Sequence, residues 1–198
     1  MRIGIFGGTF NPPHIGHMIL ADTAAEELGL DRVLFVPAAE PPHKQGWPRA
    51  AVEHRLRMVE MAIAGQALFQ LSAVDVTRPG PHYAADMIRI VAEHHPGAAL
   101  FFLMGSDSLR DLLAWHQPEA IVAQCHLVVM SRPVNPPDMA QLYEALPQLR
   151  ERLIAIESPE IEISSTNIVA RIRAGKSVRY RLPDVVLDYI LEHQLYKE

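Results

Sequence analysis

Short apolar runs alternate along the chain with longer segments in which apolar residues recur every three or four positions. The runs are residues 3–6, 33–36, 68–71, 99–103, 126–130 and 153–156. Hydrophobic and polar residues do not alternate within them, so each predicts a strand buried on both faces. The segments between predict helices: residues 15–28, a stretch built on Leu56, Val59 and Ile63, and others around 87–91, 109–113 and 121–122. Gly29 and Gly65 fall where helix C-caps belong. Strands alternating with helices predict an α/β fold, a parallel sheet with right-handed crossovers and helices on both faces.

Ligands of such a sheet bind beyond the strand C-terminal ends, where the strand order reverses. The first strand leads into Gly7-Gly8-Thr9-Phe10-Asn11-Pro12-Pro13-His14-Ile15-Gly16-His17. Glycine lets the backbone approach a phosphate closely. The helix start then offers unpaired N–H groups and a partial positive charge. His14 and His17, three apart, project from one face of its first turn. Gly16 stands where a zinc-binding H-E-x-x-H helix carries other residues, and it leaves room for a ligand.

The second strand leads to Pro37 and then to Pro41-Pro42-His43-Lys44, which aims Lys44 at the same edge. After the fourth comes Gly105-Ser106-Asp107, after the fifth Ser131-Arg132-Pro133, and after the sixth Ile163-Ser164-Ser165-Thr166. Three successive hydroxyls exceed what one N-cap needs, so they are candidates to hold a polyphosphate. Trp115, followed by His116, ends an apolar helix as either a core or a stacking residue. The proline-rich stretches 37–48 and 133–137 read as loops, and as candidate lids. The run Arg171, Arg173, Lys176, Arg179, Arg181 is open to three readings: a solvated face, an RNA contact, or further phosphate ligands.

Composition narrows the class. With 198 residues, 49% hydrophobic and 21% charged, the chain suits a single domain spanning 1–198. A net charge of -5 speaks against a nucleic-acid partner. The single cysteine, Cys125, excludes an internal disulfide and predicts a buried thiol. No signal peptide precedes the first strand and no apolar run is long enough to span a bilayer, so a cytoplasmic protein without a membrane partner is expected.

Residues 8–17 together with Ile163-Ser164-Ser165-Thr166 resemble the nucleotidyltransferase superfamily with its (H/T)xGH and ISSTxxR signatures. The Pro41–Lys44 loop, Gly105–Leu109, Trp115 and Ser131–Pro133 narrow the likeness to bacterial nicotinate mononucleotide adenylyltransferases of the NadD type, over nearly the whole chain. The resemblance implies a Rossmann-like doubly wound fold. It also implies transfer of an adenylyl group from ATP to nicotinate mononucleotide with Mg²⁺, releasing pyrophosphate in NAD biosynthesis. It implies ATP contacts at Gly8, Thr9, Phe10, His14, His17, Gly105, Ile163, Ser165 and Thr166, and a ribose contact at Asp107. Lys44 and Arg132 would serve phosphates, Trp115 would stack on the nicotinate ring, and Tyr83 would lie nearby. His14, His17 and Lys44 are the implied catalytic groups, with no protein metal ligand.

The chain departs from that pattern at four places. Val169 stands where the last signature arginine is expected, which leaves Arg171 or Arg173 to replace it. Asn11 stands where Asp is common, Ala84 where Thr is frequent, and His116 where Tyr is frequent. The last two flank the ring pocket, so nicotinamide mononucleotide or another phosphate acceptor remains an alternative substrate, and a non-catalytic nucleotide sensor an alternative class. A homo-oligomer is compatible with the sequence.

Overall fold

All six apolar runs form strands, and their hydrogen bonding makes one parallel sheet of order β3-β2-β1-β4-β5-β6. The computed structural model describes residues 1–39, 49–130, 137–157 and 161–197. The strands are β1 (Arg2–Gly8), β2 (Arg32–Pro37), β3 (Phe69–Leu71), β4 (Ala99–Gly105), β5 (His126–Met130) and β6 (Leu153–Ile156). The helices are α1 (Ile15–Glu27), α2 (Val52–Ile63), α3 (Ala84–His94), α4 (Ser106–Arg110), α5 (Pro118–Gln124), α6 (Met139–Ala145), α7 (Leu149–Arg152), α8 (Ser165–Arg173) and α9 (Asp184–Glu192). This order is the doubly wound Rossmann-like arrangement, and its switch point lies between β1 and β4.

The pleat sends alternate side chains of the central strands into two cores. Ile3, Ile5, Leu100, Phe102 and Met104 join α3 and α5 on one face. Phe6, Val33, Phe35, Phe101 and Leu103 pack with Ala21, Ala24 and Ala25 of α1 on the other. These alanines are buried and small, so α1 lies close to the sheet. A third cluster joins Met58 of α2 to Ile168, Val178, Leu182, Val186 and Ile190. It fastens the C-terminal helices against α2, beside the C-terminal edge of β1.

The structure corrects several local expectations. β3 and β6 are edge strands and keep partly exposed positions, because only one neighbour covers each. Residues 109–113 are not one helix. α4 ends at Arg110, Asp111 takes a bridge-region conformation, and a separate 3₁₀ turn spans Leu112–Ala114. Trp115 follows that turn rather than closing an apolar helix. In α2 the buried stripe is Arg55, Met58, Val59 and Ile63, so Arg55 takes the deep position and Leu56 lies half-buried. Gly29 and Gly65 have φ values of +53° and +94° just past α1 and α2, as C-cap glycines do.

Candidate active site

The loop between β1 and α1 is built around its two histidines. His14 is the N-cap of α1 and His17 its third residue. The His14 backbone N–H donates to His17 Nδ1 at 3.0 Å. A neutral ring that accepts at Nδ1 carries its proton on Nε2, so His17 presents Nε2–H as a donor. The two rings stack with centroids 3.6 Å apart. A Cβ on Gly16 would stand 3.2 Å from His14 Nδ1. Gly16 therefore makes room for the His14 ring. Phe10 has φ 48°, and its ring is buried among Phe6, Phe35 and His17. Its side chain supports His17 from the core, which leaves its backbone for any contact with ATP.

The hydroxyl trio meets this loop. Ser165 Oγ donates to the Pro12 carbonyl at 2.9 Å, across 153 residues of sequence. A Cβ on Gly16 would lie 4.0 Å from Ile163 Cβ. The first N–H of α1, on Ile15, donates to the Arg181 carbonyl at 3.0 Å. The three hydroxyls turn out to have separate tasks. Ser164 caps α8 by accepting from the Asn167 N–H, Ser165 latches α8 to the loop, and Thr166 is exposed at the second position of the helix. The Ser165 proton thus faces the Pro12 carbonyl. Val169 lies half-buried one turn later. Arg171 donates twice to the Ser177 carbonyl, at 3.0 and 2.9 Å, and Arg173 is exposed at the far end of α8. Arg171, two residues past Val169, projects from the opposite side of α8, and Arg173 lies one turn beyond Val169.

Beside the loop, a cavity of about 560 Å³ opens at the switch point. Gly8, Thr9, Tyr83, Ala84, Asp107, Trp115 and His116 are among the residues that line it. The rings of Tyr83 and His116 stack at 4.0 Å, and Trp115 meets Phe102 edge-on at 6.1 Å. Asp107 thus shares one cavity with Gly8 and Thr9, expected to hold ATP, and with Tyr83 and Trp115, expected to hold the mononucleotide. Its carboxylate is 3.3 Å from Arg110. Gly105 is the residue before α4, and a side chain there would meet open space. Lys44, Arg132 and most of the two proline-rich loops lie outside the described residues. Among the described residues, no group of three His, Cys, Asp or Glu is placed to hold a metal ion. Likewise none of their helices is long and apolar enough to cross a membrane.

Two residues absent from the sequence reading shape the site. Arg55, 1% exposed, donates to the carbonyls of Thr9 (2.9 Å), Ala38 (2.7 Å), Ala39 (3.1 Å) and Ala50 (3.3 Å). Burial is the main cause that lowers its pKa from the ordinary arginine value. Asp75 is also buried. It accepts from the Ala39 N–H and pairs with Arg78, whose guanidinium donates to the Pro81 and Tyr83 carbonyls. A charged residue in phase with an apolar stripe was the available sign of Arg55. Asp75 has no periodic sign, because it lies in a loop.

Comparison with known proteins agrees with this geometry. The cytidylyltransferase-like family model matches residues 5–171. A Thermomicrobium roseum protein named "Probable nicotinate-nucleotide adenylyltransferase" is 44% identical over 99% of this chain and 92% of its own length. One from Thermus thermophilus is 42% identical over the whole of both chains. The chain belongs to the nicotinate-nucleotide adenylyltransferase family. A nicotinic acid mononucleotide adenylyltransferase of Plasmodium falciparum, solved with NaAD, shares its fold with a TM-score of 0.80 at 20% identity, covering 98% of this chain and 97% of that one. Within the nicotinate-nucleotide adenylyltransferase family, Val169 and the Arg55 and Asp75 networks are features read on this chain itself.

Proposed function

We propose that the chain transfers the adenylyl group of ATP to nicotinate mononucleotide, forming deamido-NAD and pyrophosphate. The observation that carries adenylyl transfer is the junction of the α1 and α8 N-termini, fastened by Ser165 to Pro12 and opening beside the cavity. The choice of nicotinate mononucleotide rests on the relatives that bear that activity in their names.

The 5′-phosphate of the mononucleotide attacks the α-phosphorus of ATP. One P–O bond forms and the bond to the leaving pyrophosphate breaks. A phosphate monoester is already largely dianionic at neutral pH, so no strong base is required. The work of the protein is then positioning and charge stabilisation. His17 Nε2–H and His14 donate to oxygens of the α- and β-phosphates. Thr166 and the N–H groups opening α8 hold the departing pyrophosphate. Lys44 and Arg132 neutralise the incoming phosphate, while Trp115 and Tyr83 bound the pyridine ring. The donors around the loop are imidazoles and N–H groups, which suit an anion. A Mg²⁺ ion would therefore be held by triphosphate oxygens and water, where it offsets their charge.

The test is pyrophosphate release from ATP paired with nicotinate or nicotinamide mononucleotide. Faster turnover with the acid is expected. Preference for the amide would support the second reading, which Ala84 and His116 on the cavity wall favour. His17→Ala is expected to lose on the order of 10²–10³ in kcat, as loss of an oxyanion donor does elsewhere. Near-normal turnover would remove His17 from the mechanism.

A further inference from the structure

Tyr196 follows α9, and its hydroxyl donates to Asn11 Oδ1 at 2.9 Å. The same oxygen accepts the Ala50 backbone N–H at 3.0 Å. Asn11 belongs to the loop that supplies Thr9 and His14. Ala50 precedes α2, and its carbonyl shares the Arg55 guanidinium with that of Thr9. A single amide oxygen therefore joins three pieces of chain: the phosphate loop, the approach to α2 and the tail beyond α9.

The loop needs external restraint. Phe10, immediately before Asn11, holds a left-handed φ of 48°, and such a conformation persists only where the surroundings over-determine it. The C-terminal segment grips the loop at three points in succession. Ser165 holds the Pro12 carbonyl, the Arg181 carbonyl holds the Ile15 N–H, and Tyr196 holds Asn11. The second grips the start of α1, and the first and third grip the turn before it. Burial pushes the Tyr196 phenol well above its ordinary range, so it remains a neutral donor through the physiological range.

We propose that Tyr196 is a positioning residue for ATP. Its hydrogen bond to Asn11 sets where the Thr9–His14 backbone meets the triphosphate. The proposal rests on the reading of this loop as the ATP site.

Tyr196→Phe keeps the ring and removes only the hydroxyl. The expected result is a rise of about five- to tenfold in the KM for ATP, with the KM for the mononucleotide unmoved. Asn11→Leu is expected to raise the ATP KM at least as far, and adding Tyr196→Phe to it should cause no further loss. Asn11→Asp keeps an acceptor for both donors and is expected to recover most of what Asn11→Leu loses. An ATP KM within about twofold of the parent in Tyr196→Phe, or additive losses in the double variant, would overturn the proposal. So would a fall in kcat with both KM values unchanged, because that marks a loss of folded enzyme alone. If Tyr196→Phe does not fold, Asn11→Leu against Asn11→Asp decides from the other partner. If the parent protein releases no pyrophosphate, the enzymatic reading fails by itself. The same variants are then compared by calorimetry with a non-hydrolysable ATP analogue, where a Kd weakened about five- to tenfold is expected and an unchanged Kd overturns the proposal.

Discussion

Gly16 shows how little space the site leaves. A methyl group there would press on His14 Nδ1 at 3.2 Å and Cε1 at 3.3 Å, and that ring is already stacked on His17. Gly16→Ala is therefore expected to fold but to lose about 10²-fold in turnover, as displaced reacting groups do. Steady-state rates check this, and a near-parent rate would show that the His14 ring can shift without cost. Cys125 behaves oppositely, as an inert group. It is 1% exposed, its Sγ donates to the Ile121 carbonyl, and burial pushes its pKa up to about 12. Thiol reagents are expected to leave it unmodified at about pH 8 until the protein unfolds. The folded thiol stays protonated where the unfolded one ionises. Its contribution to stability is thus complete below about pH 8.5 and is lost as pH rises toward 12. Urea melts across that range should show a shallower decline for Cys125→Ala.

Elements turn these residues into a frame. α2 contributes a buried guanidinium rather than an apolar side chain, and Arg55 ties the ends of β1 and β2 to the approach of α2. Arg55→Met would strand the carbonyls of Thr9, Ala38, Ala39 and Ala50. A loss of at least about 3 kcal/mol in urea unfolding is expected, since each stranded buried acceptor costs about 1–3 kcal/mol. Arg55→Lys should recover only part of it, because an ammonium cannot reproduce the planar fork. At α8 two neighbouring hydroxyls should separate. Ser165→Ala removes a latch, so it is expected to cost about 1 kcal/mol of stability as well as raising the ATP KM. Thr166→Val should raise the KM and leave the melting temperature in place. The positions of the strands were legible, because parallel strands buried on both faces need unbroken apolar runs. The break at Asp111 was not, since the apolar spacing of 109–113 fits one helix as well as a short helix and a 3₁₀ turn.

Over the whole molecule, the site exists because segments at the two ends of the chain meet. Ser165 and Pro12 are 153 residues apart, and Tyr196 and Asn11 are 185 apart. Binding of Mg-ATP is therefore expected to slow amide exchange both in residues 8–17 and in residues 163–168. Protection confined to the first segment would mean that α8 does not hold the triphosphate. Periodicity along the chain was enough to establish the strands, the parallel α/β layout and the edge on which the polar segments emerge. Local chemistry also marked His14, His17 and the hydroxyl trio, because a glycine turn and a helix start are short-range signals. Only the tertiary structure decided how those groups divide their tasks. That Ser165 bonds the Pro12 carbonyl, that the Phe10 ring enters the core and that Arg55 is buried depend on partners far away in sequence. A side chain's hydrogen-bond partner is set by three-dimensional packing, and no spacing along the chain records it.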